Sequence, residues 1–587
     1  MARRGFALLF TVLGVAVFLS IAGFALLYVL FGREPIVSSN STLVLRVGGD
    51  LTEVAPNDVV SYVRGVRAPT VRAVVDNLRK AKVDSHVRAV MLKPTGFESP
   101  FWGKVQEVRD AVIEFKKSGK PVYAYLEYGG DREYYLATAA DKVFLMPSSP
   151  LDLTGIATYE LFLRGTLDKI GAYPDLHHVG QYKTAVNTFT EKGYTRAHKE
   201  MDEALTRDLY DQLVRGIADS RKKNEGDVRT LLDEGPFLPE NALRVGLIDD
   251  VAYEDQVEEK LRAGEHRSRI DGDDYARIST TSLGLDRGPR IAVIHAAGAI
   301  TGGKSGFDPI NGAAVGSDTL VEYIRRARRD SSVRAIVLRI DSPGGSASAS
   351  DAIWRELMIA RQERADRPLV ASMSDLAASG GYYIAMPAQV IVAQPSTLTG
   401  SIGIFGGKIV TGGVYEKLGA HIDSTSMGKH AEINSPARPY NPDELKKLQE
   451  QLQSFYDQFV EKVAEARHST PEKIDALAQG RVWTGRQAKQ NGLVDQLGGL
   501  DQAIAVAKQR AKIPADSGVE IVVYPPRKSF YEILTDEFSG SSESRMAAMV
   551  AANLSSAELE VLRTIRGPLG FFRRGEPLAL MPLSFVR

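Results

Sequence analysis

The feature that most constrains this chain is a repeat inside it. Tyr134-Tyr135 returns as Tyr382-Tyr383, a shift of 248 positions (134 to 382), and three further pairs follow in the same order. Val87-Arg88-Ala89 is echoed by Val333-Arg334-Ala335, and Leu153-Thr154-Gly155 by Leu398-Thr399-Gly400. Gly246-Leu247-Ile248-Asp249 is echoed by Gly492-Leu493-Val494-Asp495. One such pair is within chance; four in one order indicate an internal duplication. At 587 residues the chain is also too long for one core. Two related domains are expected.

Within each half, strand and helix patterns alternate. In the first, residues 42–47, 87–92 and 121–124 read as strands, and 71–81, 104–117 and 199–221 as helices. In the second, 290–294 and 333–338 read as strands and 320–329 as a helix. Such alternation predicts α/β architecture with right-handed crossovers. The chain then divides into an apolar N-terminal segment (1–34), a first half (40–263), a polar linker rich in Asp, Arg and Gly (264–289), a second half (290–514) and a C-terminal extension (515–587). In the extension, 519–524 reads as one more strand stopped by Pro525-Pro526, 541–564 is helix-prone, and the apolar last twenty residues are expected to pack on the body. The stretch from Gly302-Gly303 to Gly316 lacks the GxxxxGK[ST] spacing of a phosphate cradle and reads as a mobile loop.

From Gly5 to Phe31 the chain is uncharged and almost wholly apolar, longer than the roughly 20 residues that span a bilayer. Arg3 and Arg4 precede it, so the positive-inside rule predicts a cytoplasmic N-terminus and an extracytoplasmic body. A cleaved signal peptide is the competing reading, with Ser20-Ile21-Ala22 as its site. The apolar run continues to Phe31, which favours an uncleaved single-pass anchor in the cell membrane.

Composition excludes several chemistries. With no cysteine there are no disulfides, thiolate nucleophiles or Cys metal sites. The nine His are scattered without ligand spacing, so no metal and no other cofactor is expected. Basic and acidic residues balance at 73 each, leaving no electrostatic reason to expect nucleic acid.

The stretch Leu376-Ala377-Ala378-Ser379-Gly380-Gly381-Tyr382-Tyr383 sets one serine among small residues between two apolar runs. A nucleophile needs that access, a tight turn and bare amides for an oxyanion; a tight helix–strand contact needs the same small residues. Superposing the halves by their tyrosine pairs helps to decide. Ser379 falls opposite Asp131, and Lys183 falls opposite Ala431. Each half keeps one member of a nucleophile–base pair, and a neutral lysine can serve a serine as base. Lys429 neighbours Ala431 but is out of register.

These residues, with Asp341-Ser342-Pro343-Gly344-Gly345-Ser346, Pro395-Ser396-Thr397-Leu398-Thr399-Gly400-Ser401 and Val482-Trp483-Thr484-Gly485, make the chain resemble the signal peptide peptidase A (protease IV) family in its long, duplicated form. The resemblance runs from residue 40 to about 512. It implies tandem ClpP/crotonase-like domains, Ser379 as nucleophile and Lys183 as general base. It also implies Ser401 as the hydroxyl that orients the lysine, and an oxyanion hole from Gly344 or Gly345 together with Gly380. The substrates it implies are peptides left in the membrane after signal-peptide cleavage. It implies a homo-oligomer, a tetramer in the family, and leaves open whether the dyad forms within one chain.

Lysine's reference pKa is about 10.4, so Lys183 must be buried to act as a base at neutral pH. Tyr182, Ala185 and Val186 suit such a pocket. His177 and His178 invite a Ser–His reading but are expected to be structural, and Asp341 is expected to cap an Asx-turn rather than complete a triad. Two other classes stand beside the peptidase. A crotonase-like acyl-CoA enzyme would need neither Ser–Lys pair nor anchor. An inactive scaffold would not leave complementary losses at Asp131 and Ala431.

Overall fold

The computed structural model describes residues 34–54, 70–262, 268–308, 312–526, 576–581 and 585–586, with isolated positions 14, 15, 18 and 23 before them. The anchor expected over 5–31 and the helix expected over 541–564 lie outside the described residues, apart from those isolated positions. Among the described residues no helix is long and apolar enough to cross a membrane.

Each half is built on a parallel sheet, and strand order is the same in both. In the first half it runs Ser268–Asp271, Ser41–Gly49, Val87–Phe97, Val122–Leu126, Lys142–Leu145, Asp250–Val251. In the second the matching strands run Glu520–Tyr524, Arg290–Ala297, Val333–Ser342, Leu369–Ala378, Val390–Ala393, Gln496–Leu497, and two more, Leu398–Gly400 and the antiparallel Val482–Thr484, branch from Leu369–Ala378. The inner strands of each sheet are rich in Val, Ile, Leu and Ala and largely buried on both faces, as parallel strands under crossover helices must be. The duplication read from four short echoes is thus a duplication of topology.

Three expectations are corrected. Residues 264–289 are not a plain linker: Ser268–Asp271 is an edge strand of the first sheet, and Tyr275 is buried, its carbonyl accepting from Lys80 Nζ at 2.7 Å. The first half therefore runs past residue 263. In the same way Glu520–Tyr524 joins the second sheet, so that half ends beyond 514. The glycine-rich stretch 302–316 contains the strands Gly306–Asp308 and Gly312–Gly316, where pairing rather than side-chain pattern makes the strand.

A third sheet joins the halves. It runs Gly306–Asp308, Gly312–Gly316, Ala299–Thr301, Gly344–Ser346, Leu578–Leu580, Ile404–Val410, Tyr173–Val179. Its central fact is an antiparallel ladder from Ile404↔Val179 to Val410↔Tyr173, second half against first. Buried ions reinforce this contact. Arg339, 1% exposed, binds Glu53 (2.7 Å) and Glu107 (2.6 Å) of the first half, and Ser372 and Ser374 take further guanidinium protons. Arg486 and Thr484 both reach Asp208 on the 26-residue helix Arg196–Arg221.

Candidate active site

Ser379 stands where the strand Leu369–Ala378 ends and the helix Gly380–Ala385 begins. Its φ of 56° lies in the left-handed region, a strained strand-to-helix turn of the kind that exposes a nucleophile. The turn is held because Ser379 N–H donates to Gly400 O at 2.8 Å. Packing holds it too. A Cβ on Gly380 would lie 2.7 Å from Ser350 Oγ, and one on Gly381 2.7 Å from Ser342 O. The small residues noted in the sequence are therefore required by close approach on both sides of the serine.

Lys183 follows the strand Tyr173–Val179, whose pairing with Ile404–Val410 carries it into the other half. Its Nζ lies 2.7 Å from Ser379 Oγ, 3.0 Å from Ser401 Oγ and 3.0 Å from Ser401 O. All three residues are fully buried. Burial, which penalises the charged form, holds the amine well below the usual lysine range. A neutral amine has two N–H donors and one lone pair. Donating to Ser401 Oγ and Ser401 O leaves the lone pair for the hydroxyl proton of Ser379, so every valence is used.

Sequence reading missed what fixes the lysine stem. A Cβ on Gly480 would fall 2.4 Å from Lys183 N and 2.6 Å from its Cβ, and one on Gly403 would fall 3.1 Å from its Cδ. The loop at 478–481 lies directly on Lys183, with Tyr182 N–H donating to Gln479 O at 2.7 Å and Ser401 N–H to Arg481 O at 2.7 Å. The signal available was Gly480 itself, just before the Val482-Trp483-Thr484-Gly485 motif.

The other candidates divide. Gly344 and Gly380 abut, a Cβ on Gly344 falling 2.7 Å from Gly380 N, and Gly345 lies beside them. Gly344 N–H is engaged by Ser342 Oγ at 3.2 Å. His177 binds Asp175 (2.9 Å) and His178 binds Gly180 O (2.9 Å), so neither partners Ser379. Asp341 is not in a triad. Its Oδ1 accepts from Leu376 N–H at 3.2 Å, and its Oδ2 pairs with Lys104 of the first half at 2.8 Å, which makes it an inter-half ion pair rather than simply a turn cap. In the first half, Asp131 begins the equivalent helix, and its carboxylate accepts from Gly155 N–H at 3.0 Å. Burial raises its pKa to about 6. Ala431 and Lys429 lie in an exposed turn, Lys429 paired with Asp443.

One lysine and one serine, each from a different half, thus meet within a single chain. Comparison with known proteins agrees with that division. Peptidase family S49 matches at residues 114–267 and again at 361–514, once in each half. The chloroplastic serine protease SPPA of Arabidopsis thaliana is 37% identical over 471 residues, spanning 78% of this chain and 68% of that protein. Protease 4 of Salmonella typhi is 35% identical over 505 residues, spanning 84% of this chain and 80% of that protein. The putative signal peptide peptidase SppA of Enterococcus faecium is 34% identical over 197 residues, 34% of this chain and 57% of that protein. With both halves matched and relatives at this identity spanned over more than two thirds of their length, the chain belongs to peptidase family S49 and is a serine peptidase of duplicated form.

Proposed function

We propose that this peptidase works through a Ser379–Lys183 dyad and degrades signal peptides left in the membrane after preprotein cleavage. The observation that carries the reading is the 2.7 Å contact between a fully buried, uncompensated lysine amine and a serine hydroxyl in a strained turn. Ser379 Oγ attacks the scissile carbonyl carbon as its proton passes to Lys183 Nζ. The oxyanion is received by the amides of Gly345 and Gly380, where one such donor is worth about 10²–10³ in rate. The C–N bond then breaks and the leaving amine takes the proton from Lys183. Water repeats the sequence on the acyl-enzyme, and Ser379 regains its proton. Ser401 fixes the amine in line without adding charge.

The substrate class rests on the family resemblance and on the Enterococcus faecium relative, named a putative signal peptide peptidase. The apolar run at 5–31 supports a membrane anchor with the body outside the cytoplasm. Each half is read as ClpP/crotonase-like, and a homo-oligomer, tetrameric by family resemblance, is part of the same reading. A serine-directed phosphonate tests the centre of it. Label on Ser379 in the native chain, and none after Ser379→Ala, is the expected result; label on another serine overturns the assignment. Protease added to intact spheroplasts should digest the body if the anchor reading holds.

A further inference from the structure

A second cluster of buried polar groups stands apart from the dyad, on the first two turns of the helix Arg196–Arg221. His198 and Asp202 are four residues apart in sequence, which places both on one face of that helix. Glu160, just past the short strand Thr158–Tyr159, comes to the same face. One nitrogen of His198 and one carboxylate oxygen from each of Asp202 and Glu160 lie within 4.8 Å of one another. His198 is 1% exposed and Asp202 6%. Among the described residues His198 Nε2 and Asp202 Oδ2 have no hydrogen-bond partner. At 3.7 Å they are also too far apart to bond each other. Buried polar atoms left in this way are costly unless a further group binds both.

A divalent cation satisfies all three groups. Two ligands each about 2.1 Å from one tetrahedral metal stand about 3.4 Å apart, close to the separation of Nε2 and Oδ2. Glu160 is half-buried at a strand end and can follow. Burial pushes the Asp202 carboxyl up to about 6 and the His198 imidazole down to about 4. At neutral pH one is therefore charged and the other neutral, the forms that bind a metal. Behind the ring, Asn187 Nδ2 lies 3.5 Å from His198 Nδ1 and 3.3 Å from Thr195 Oγ1. With that amide turned over, its oxygen accepts from Nδ1–H and from the Thr195 hydroxyl, which leaves the Nε2 lone pair for a metal. Tyr194 and Phe162 meet the ring edge to face, their centroids 5.0 and 6.0 Å away, an apolar wall that limits water there. On its other side Asp202 borders a cleft of about 520 Å³ with Thr158, Tyr194 and Thr206, which gives an ion a way in. Lys199 on the same cleft is paired with Glu203 at 3.8 Å.

We propose that Glu160, His198 and Asp202 hold a divalent transition-metal cation of the zinc class, with water completing its shell. One imidazole and two carboxylates are a donor set that zinc takes, whereas magnesium prefers oxygen alone. No sequence motif announces the site, because Glu160 joins the helical pair only through tertiary approach. The reading is independent of the dyad. Its consequence is structural: the cation ties the segment after Thr158–Tyr159 to the helix whose Met201 packs on Ala378 and Val482 beside the serine. Asn187, behind the ring, lies four residues beyond Lys183. Loading should therefore stabilise the wall of the first half that carries the lysine.

The test uses the full-length chain in detergent, without a histidine tag, dialysed against EDTA and then against metal-free buffer. Calorimetric titration with Zn²⁺ should show one site per chain. Zn²⁺ should also raise the melting temperature, and Mg²⁺ at the same concentration should not. Asp202→Asn and Glu160→Gln should each weaken Zn²⁺ binding by at least about 100-fold, and Asn187→Ala by about 10–100-fold. His177→Ala/His178→Ala, which removes the other pair of histidines, should leave the affinity unchanged. Glu160→Gln keeps the shape of a half-buried side chain, so it reads the site even where the buried Asp202→Asn chain does not fold. Failure of the native chain to bind Zn²⁺, or an unchanged affinity in Glu160→Gln, overturns the proposal. So does equal affinity for Mg²⁺, which would mean that the imidazole takes no part.

Discussion

Lys183 Nζ and Ser379 Oγ are 2.7 Å apart, although 196 residues separate them along the chain. What joins them is the ladder between Tyr173–Val179 and Ile404–Val410, which lays the strand before the lysine against the second half. The first half supplies no nucleophile of its own, because Asp131 turns its carboxylate onto the amide of Gly155. The second supplies no lysine, because Ala431 lies in an exposed turn.

Removing either partner should abolish turnover. Ser379→Ala and Lys183→Ala are each expected to lower kcat/KM by at least about 10³-fold, and the double variant little further, since the pair acts as a unit. Ser401→Ala should cost less, about 10–10²-fold, because Ser401 O still holds the amine. Steady-state kinetics on one peptide substrate measures all four. Wild-type turnover in Lys183→Ala would place the base elsewhere.

The pH profile follows from the depressed pKa of Lys183. Activity should fall as pH drops through that value, because protonation takes the lone pair that accepts the serine proton. Lys183→His should shift the acid limb along with the new base. An acid limb unchanged in that variant would assign it to another group.

The same burial has a stability signature. Between the folded-state pKa of Lys183 and the ~10.4 of the unfolded side chain, the unfolded state binds one more proton, so stability rises with pH. Against Lys183→Met, the native chain should gain up to about 1.4 kcal/mol per pH unit across that window, and nothing below it. Urea unfolding from pH 7 to 9 reads this directly. A constant difference would mean that Lys183 stays charged.

Gly480→Ala should be far more damaging to activity than its size suggests. The new Cβ would lie 2.4–2.6 Å from Lys183 N, Cα and Cβ, so the lysine must move. A displacement of about 1 Å costs about 10² in rate. Gly193→Ala, with nothing within 4 Å, is the control and should be near neutral. Equal activities would show that the 478–481 loop does not position the base.

Arg339 tests how the halves are held. Arg339→Met leaves Glu53 and Glu107 buried without the guanidinium that pairs them, and breaking a buried pair costs about 3–5 kcal/mol. Glu53→Gln/Glu107→Gln in the same chain should recover much of the loss. Melting temperatures of the three chains decide this, and no drop for Arg339→Met would mean that water reaches the carboxylates.

The sequence alone determined the duplication, the α/β alternation and the candidate pair. Each depends on local spacing: four echoes in order, apolar runs of strand and helix period, a serine between alanines and glycines, and Lys183 aligned with Ala431. It also carried Ser401 and the glycines near the serine, through the family resemblance. It misread 264–289 because the strand Ser268–Asp271 buries only Ile270 of its four residues and so has no apolar pattern. Which edges pair was decided only in three dimensions. The inter-half ladder, the loop of Gly480 on Lys183 and the tail on Gly345 all join segments remote in sequence, where main-chain hydrogen bonding and close approach leave little trace in residue type. The chemistry is of the same origin. A lysine becomes a base at neutral pH through the loss of water around it, and Lys183 of the first half is fully buried against Ser379, Ser401, Gly403 and Gly480 of the second.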